Sequence, residues 1–185
     1  IQESSFLEYS GILDIAIDDS AQFYMTDMGS RRIIQTKWPF IEHTVLGRPG
    51  QGPGEYSMPM FLDVEQEYLF YSSFGNSLIK SMHIENNTTT KTQDIGVASA
   101  ASQVQVYKDT LAIYNGSIIP PLQIYDISTH TPQLIGKGQR IDPRYEFPAG
   151  KVTGGGGIDI SSDGTVYTVP VSRFQIQQYN LRGEL

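Results

Sequence analysis

One pattern restricts the fold of this 185-residue chain more than any other: a run of short strands joined by tight turns that returns four times. Ile12-Leu13-Asp14-Ile15-Ala16-Ile17, the turn Asp18-Asp19-Ser20, and Gln22-Phe23-Tyr24-Met25-Thr26 read as a hairpin. Met28-Gly29-Ser30 makes a second turn, and Arg32 to Thr36 and Ile41 to Leu46 complete a group of four strands. The same order begins again at Phe61-Leu62-Asp63-Val64, at Val104-Gln105-Val106, and at Ile158-Asp159-Ile160. The second strands lie roughly 45 to 50 residues apart, the spacing of one four-stranded propeller blade per repeat. The segments joining the groups repeat too. Leu46-Gly47-Arg48-Pro49-Gly50-Gln51-Gly52-Pro53-Gly54-Glu55-Tyr56 leads to Pro59, and Ile135-Gly136-Lys137-Gly138-Gln139 leads to Tyr145-Glu146-Phe147-Pro148.

The pattern predicts an all-β chain: a β-propeller of about four consecutive four-stranded blades, over residues 11–47, 59–97, 102–136 and 156–185. Eighteen Gly, ten Pro, eleven Tyr and eight Phe fit many short strands and frequent turns, and no segment carries a capped pattern of helical period. Four blades leave open strand edges, so further blades or another chain are expected to close the ring. The last strand of the fourth blade is expected beyond Leu185, and the first ten residues to belong to a preceding blade or a closing strand.

Within this frame the sequence resembles NHL-type propellers and related six-bladed β-propeller proteins of bacteria. Asp27-Met28-Gly29-Ser30-Arg31-Arg32-Ile33 is similar to the Asp-x-Gly-x-x-Arg-Ile segment of that family. Gly50 to Tyr56, followed by Pro59, resembles its inter-blade loop, and Asp163-Gly164-Thr165-Val166-Tyr167 its hairpin. The resemblance implies a six-bladed ring in a secreted or periplasmic protein, free or lipid-anchored to the cell envelope. It also implies one of the family's uses: binding of carbohydrate, peptide, protein or RNA, or, in a minority, enzymatic activity. Fold alone does not choose among these.

Chemistry narrows the choice. With no cysteine, disulfides, thiolate metal sites and cysteine nucleophiles are excluded. A net charge of -7 disfavours nucleic acid as the partner. No apolar run approaches the ~18 residues of a transmembrane helix. The glycine-rich loop 50–54 lacks the Lys-Ser/Thr ending of a phosphate loop. His43, His83 and His130 are not at metal-ligand spacing.

Two site readings remain. Asp14, Asp63 and Asp159 occupy matching first-strand positions, with Gln103 or Gln105 in the third blade. Such carboxylates could ring a central channel and hold Ca²⁺, giving a metal-dependent lactonase or hydrolase. The plainer reading is that they point into a watery channel or cap neighbouring backbone groups. The favoured reading is a non-catalytic binding module that uses the face carrying the inter-blade loops. That face receives Arg31, Arg32, Arg48, Gln51, Glu55, Tyr56, Arg140, Arg144, Tyr145 and Arg173, with Lys137 and Lys151 nearby. Arginines beside aromatics suit an anionic ligand, a glycan or an acidic protein partner. The opposite face receives Asp18, Asp19, Glu65, Glu67, Glu85, Asp109, Asp163 and Glu184.

Overall fold

A computed structural model describes residues 9–50, 55–75, 78–85, 88–98, 103–115, 121–138, 156–170 and 176–185. These residues form antiparallel sheets in chain order, with no helix among them. The first sheet is β1 (Ile12–Ile17), β2 (Gln22–Asp27), β3 (Arg32–Lys37) and β4 (His43–Leu46). A two-residue parallel pair, β5 (Arg48–Pro49) and β6 (Glu55–Tyr56), lies in the connector. The second sheet is β7 (Met58–Glu65), β8 (Tyr68–Phe74), β9 (Leu78–Glu85) and β10 (Thr88–Ala98). The third is β11 (Gln103–Tyr107), β12 (Thr110–Tyr114), β13 (Leu122–Asp126) and β14 (Gln133–Lys137). The fourth has three described strands, β15 (Gly156–Ile160), β16 (Val166–Pro170) and β17 (Gln177–Tyr179).

This is the blade architecture of a β-propeller, four up-and-down sheets in sequence. The chain packs as two compact units, Ile1–Ala101 and Ser102–Leu185. In the first, Ala16, Tyr24, Ile33 and Leu46 of the first sheet meet Leu62, Leu69, Tyr71, Met82 and Ile84 of the second in one buried cluster. The alternation of each strand explains it. Asp14, Ala16, Tyr24, Thr26, Ile33 and Leu46 share the face toward the second sheet through the pairs Asp14–Thr26, Ala16–Tyr24, Thr26–Ile33 and Ile33–Leu46. Two polar bonds fix the stacking: Thr26 Oγ1 donates to the Met60 carbonyl at 2.7 Å, and Leu62 N donates to Asp14 Oδ2 at 2.9 Å. In the second unit, Ala112, Tyr114, Leu122 and Ile124 of the third sheet pack with Val166 and Tyr179 of the fourth, flanked by Ile158, Ile160 and Leu181.

Strand β10 is longer than the sequence pattern suggests. Thr88-Thr89-Thr90-Lys91-Thr92 has no apolar alternation, so period-two reasoning is silent there while ladder pairing to β9 still forms. Strand β14 takes in Ile135-Gly136-Lys137, which reads as the start of a connector. That segment is the outer strand of its sheet, paired to Gln123 and Ile124 before the chain leaves it.

The turn after β17 shows how closely backbone approaches backbone. Asn180 Oδ1 accepts the N–H groups of Arg182 and Glu184 at 2.8 and 3.1 Å, and Gly183 adopts φ 75°. A Cβ on Gly183 would lie 2.6 Å from Lys137 N, whereas one on Gly157 meets nothing within 4 Å. Gly183→Val is therefore expected to cost roughly 2 kcal/mol or more, from left-handed backbone strain plus the clash. Gly157→Val should be close to neutral. Urea denaturation of both variants checks the contrast.

Candidate functional site

The end of the first sheet that carries its arginines is built by register. Ile33 pairs with Leu46, so Arg31 and Arg48 leave β3 and β4 at the same end of the sheet. Arg31 is exposed in the β2–β3 turn at φ 55°. Arg48 has an exposed side chain (76%), and its Nε donates to Glu55 Oε1 at 2.7 Å. Both residues offer charge to solvent.

Arg32 does different work. It is half-buried, and its guanidinium lies 3.3 Å from the buried Asp27 carboxylate. Asp27 also accepts from Ser10 N, Ser10 Oγ, Ser30 N and Ser30 Oγ, while Arg32 Nε donates to Ser30 Oγ at 2.6 Å. The Asp27-to-Arg32 segment is thus a turn wrapped around one carboxylate. Gly29 is required in it because a Cβ there would stand 2.6 Å from the Ser10 carbonyl oxygen. Burial alone would raise the pKa of Asp27. The hydrogen bonds from Ser30 and Ser10 and the Arg32 guanidinium outweigh it and hold the carboxyl at about 2.

The connector is anchored in a similar way. Gly50 N donates to the Tyr56 carbonyl at 2.8 Å, and the Glu55 side chain lies so close to Gly50 that a Cβ would collide with it. Tyr56 is fully buried, which corrects its place on a ligand-binding face. Its hydroxyl donates to the Leu46 carbonyl at 2.9 Å and accepts from Ile33 N at 3.2 Å, and its ring stands edge-on to Tyr71. Tyr56 is the plug that ties the connector into the first sheet. The Glu55 carbonyl accepts from Lys80 Nζ at 2.9 Å, and Lys80, buried in β9, also faces Asp94 at 3.8 Å. Gln51, Arg140, Arg144, Tyr145 and Arg173 lie outside the described residues, as do Gly52, Gly54 and Lys151. Lys137, at the end of β14, is exposed.

The three first-strand carboxylates share one local geometry. Each accepts the N–H of the residue that follows: Ile15 N to Asp14 at 3.1 Å, Val64 N to Asp63 at 2.9 Å, and Ile160 N to Asp159 at 2.9 Å. Asp14 uses its second oxygen as well, on Leu62 N. Burial pushes the Asp14 carboxyl above its ordinary range, against the pull of those two N–H donors. Among the described residues no group of three or more His, Cys, Asp or Glu side chains is gathered to hold a metal ion. Asp14 and Asp63 belong to the first unit and Asp159 to the second.

Sequence reasoning passed over an aromatic cluster at the other end of the first sheet. Phe40 stands edge-on to Phe23 at 4.9 Å and to Trp38 at 5.3 Å, and Trp38 is 76% exposed beside the exposed Ile41. A Trp-Pro-Phe-Ile run in a turn between two strands was the available signal.

The Asp27 turn makes a prediction about acid. The folded pKa lies below the unfolded value of about 3.9, so the stabilisation is complete above that pH and is lost as pH falls from about 4 toward 2. Asp27→Asn should cost roughly 2 kcal/mol at neutral pH, by removing the charge and turning an NH2 donor toward groups that donate to the native carboxylate. The gap to the unaltered chain should narrow below about pH 3. Thermal melts across that range measure it.

No protein-family model matches the chain, and no curated protein matches it. Solved structures do. A chain of Kuenenia stuttgartiensis hydrazine synthase is similar over 98% of this chain and 49% of its own length, with a TM-score of 0.61 and 11% identity. A chain of a nidogen/laminin complex is similar over 95% of this chain and 67% of its own length, with a TM-score of 0.58 and 10% identity. This chain thus spans about half the length of the hydrazine synthase chain. At these identities the likeness is one of fold, and it supports the β-propeller. Among the described residues no helix is long and apolar enough to cross a membrane.

Proposed function

We propose that this chain is part of a non-catalytic, protein-binding β-propeller that takes an acidic partner on its inter-blade-loop face. The observation that carries the reading is the arginine end of the first sheet. Register brings Arg31 and Arg48 together, both exposed, on a rigid base formed by the Asp27 turn and the buried Tyr56. Arg32 is spent on Asp27, so the recognition charge rests on the other two. Arg48 is the exposed member of its pair with the largely buried Glu55, so its guanidinium faces solvent while that contact is made. The nidogen/laminin structure is that of a complex, which supports protein rather than small-molecule binding as the use of this fold here. We place the protein in the periplasm or outside the cell, as the family resemblance implies.

Arg31→Glu combined with Arg48→Glu should weaken binding of an acidic probe, polyglutamate, at least about fivefold at low salt and flatten its salt dependence. Titration calorimetry at two ionic strengths tests this. Equal affinity for the double variant and the unaltered chain would reject the face.

The second reading is a metal-dependent lactonase or hydrolase with Ca²⁺ on Asp14, Asp63 and Asp159. Each Asp14 oxygen already accepts an N–H, so the carboxylate is held by the backbone and offers fewer open lone pairs to a cation. Millimolar Ca²⁺ is therefore expected to leave the melting temperature unchanged. A rise of several degrees that disappears in Asp14→Asn would favour the metal reading instead.

A further inference from the structure

The connector between the first two sheets carries Arg48 near its start and meets Phe74 at its end. It leaves the first sheet at the end where the β2–β3 turn lies, and enters the second where the β8–β9 turn begins. Phe74 closes β8 and pairs with Met58, the first residue of β7. It is 58% exposed, although Leu69 to Ser73 before it are all buried. A single exposed apolar side chain is ordinary. This one shares its end of the two sheets with both exposed arginines and with Met28, itself exposed in the β2–β3 turn, whose carbonyl accepts the Arg31 N–H at 3.3 Å. All four residues belong to the unit Ile1–Ala101. Neighbouring blades meet through their sheet faces, so the ends of the strands stay open however many blades adjoin.

One continuous frame holds the arginine and the aromatic. Glu55 accepts Arg48 Nε from one side, and the next residue, Tyr56, bridges Leu46 and Ile33 of the first sheet. Two residues on, Met58 N donates to Ser73 Oγ at 3.2 Å, and Ser73 Oγ donates to the Met58 carbonyl at 3.1 Å. On the other side of Phe74, Gly75 takes φ 81° and comes so close to the connector that a Cβ would lie 3.4 Å from Ser57 Oγ. Phe74 is thus fixed by the residue before it and the residue after it. Groups held in place before binding lose little freedom when they bind. With Nε turned to Glu55, Arg48 offers the terminal nitrogens of its guanidinium outward, the planar pair that suits a carboxylate.

We propose that the partner segment recognised here is acidic and also apolar: its carboxylates take Arg31 and Arg48, and an apolar side chain set among them packs on Phe74. The inference rests on the acidic-partner reading and adds what charge alone does not supply. Contacts between exposed charges fade beyond about 8 Å at physiological ionic strength, whereas burial of apolar surface is not screened by salt. Phe74 therefore separates a mixed segment from a merely acidic one, and it does so from the same connector that presents Arg48.

The test is titration calorimetry on the full chain with two probes, a short polyglutamate peptide and the same peptide carrying one central leucine. The leucine peptide should bind about tenfold tighter. That ratio should persist as salt is raised, while both affinities fall. Phe74→Ser should abolish the difference and leave polyglutamate binding as it was, with the parent circular dichroism, because the side chain is exposed. Phe74→Leu should keep most of the gain. Trp38, the chain's single tryptophan, lies at the other end of the first sheet, so its emission should stay constant throughout. Polyglutamate binding to which the leucine adds nothing would overturn the inference and leave the acidic-partner reading standing. So would a gain that survives Phe74→Ser, or a Trp38 emission that follows the leucine. Failure of both peptides to bind would overturn the inference and the reading together.

Discussion

A four-stranded antiparallel blade has two apolar faces and no means of burying either by itself. Everything else in this protein answers that constraint. Ala16, Tyr24, Ile33 and Leu46 become interior only because Leu62, Leu69, Tyr71 and Met82 lie against them. Burial of several large side chains at roughly 1.5–3 kcal/mol each supplies the drive. It is non-directional, however, and would tolerate a slipped stacking. Direction comes from a few polar contacts across the gap: the Asp14 carboxylate on Leu62 N, the Thr26 hydroxyl on the Met60 carbonyl, and the Tyr56 hydroxyl bridging Leu46 and Ile33. Each buried donor or acceptor would be left unsatisfied by a shift, which is costly in a dry interface.

The same logic changes the meaning of the charged residues. A carboxylate in the first strand of a blade looks like a metal ligand when three are aligned by repeat. In the structure Asp14, Asp63 and Asp159 each turn one oxygen back onto the following N–H, and Asp14 spends the other on the next sheet. Arg32 is likewise drawn into the turn around Asp27, where it offsets a buried charge. Arg31 and Arg48 stay exposed at one end of the first sheet, and Trp38 at the other. Neighbouring arginines of one segment thus differ in environment, Arg32 held by the turn and Arg31 exposed.

The chain by itself determined the class of fold, since strand-turn-strand periodicity and its fourfold return are local properties written into alternation and turn residues. It also marked Asp27 to Arg32 and Gly50 to Tyr56 as special, because glycines and charges at fixed spacing stand out without any structure. It could not reveal β10, whose threonine-rich run lacks a period to detect. Nor could it tell Arg31 from Arg32, or show that Tyr56 faces inward. Those outcomes depend on which side chain a neighbouring strand meets, and a one-residue change in register reverses that answer. The tertiary structure alone decided that Asp14 reaches Leu62, that Lys80 is buried against the Glu55 carbonyl, and that Ile15, Ile17 and Trp38 remain exposed. The physical reason is that burial is a property of pairs of blades, whereas the sequence pattern describes each blade alone.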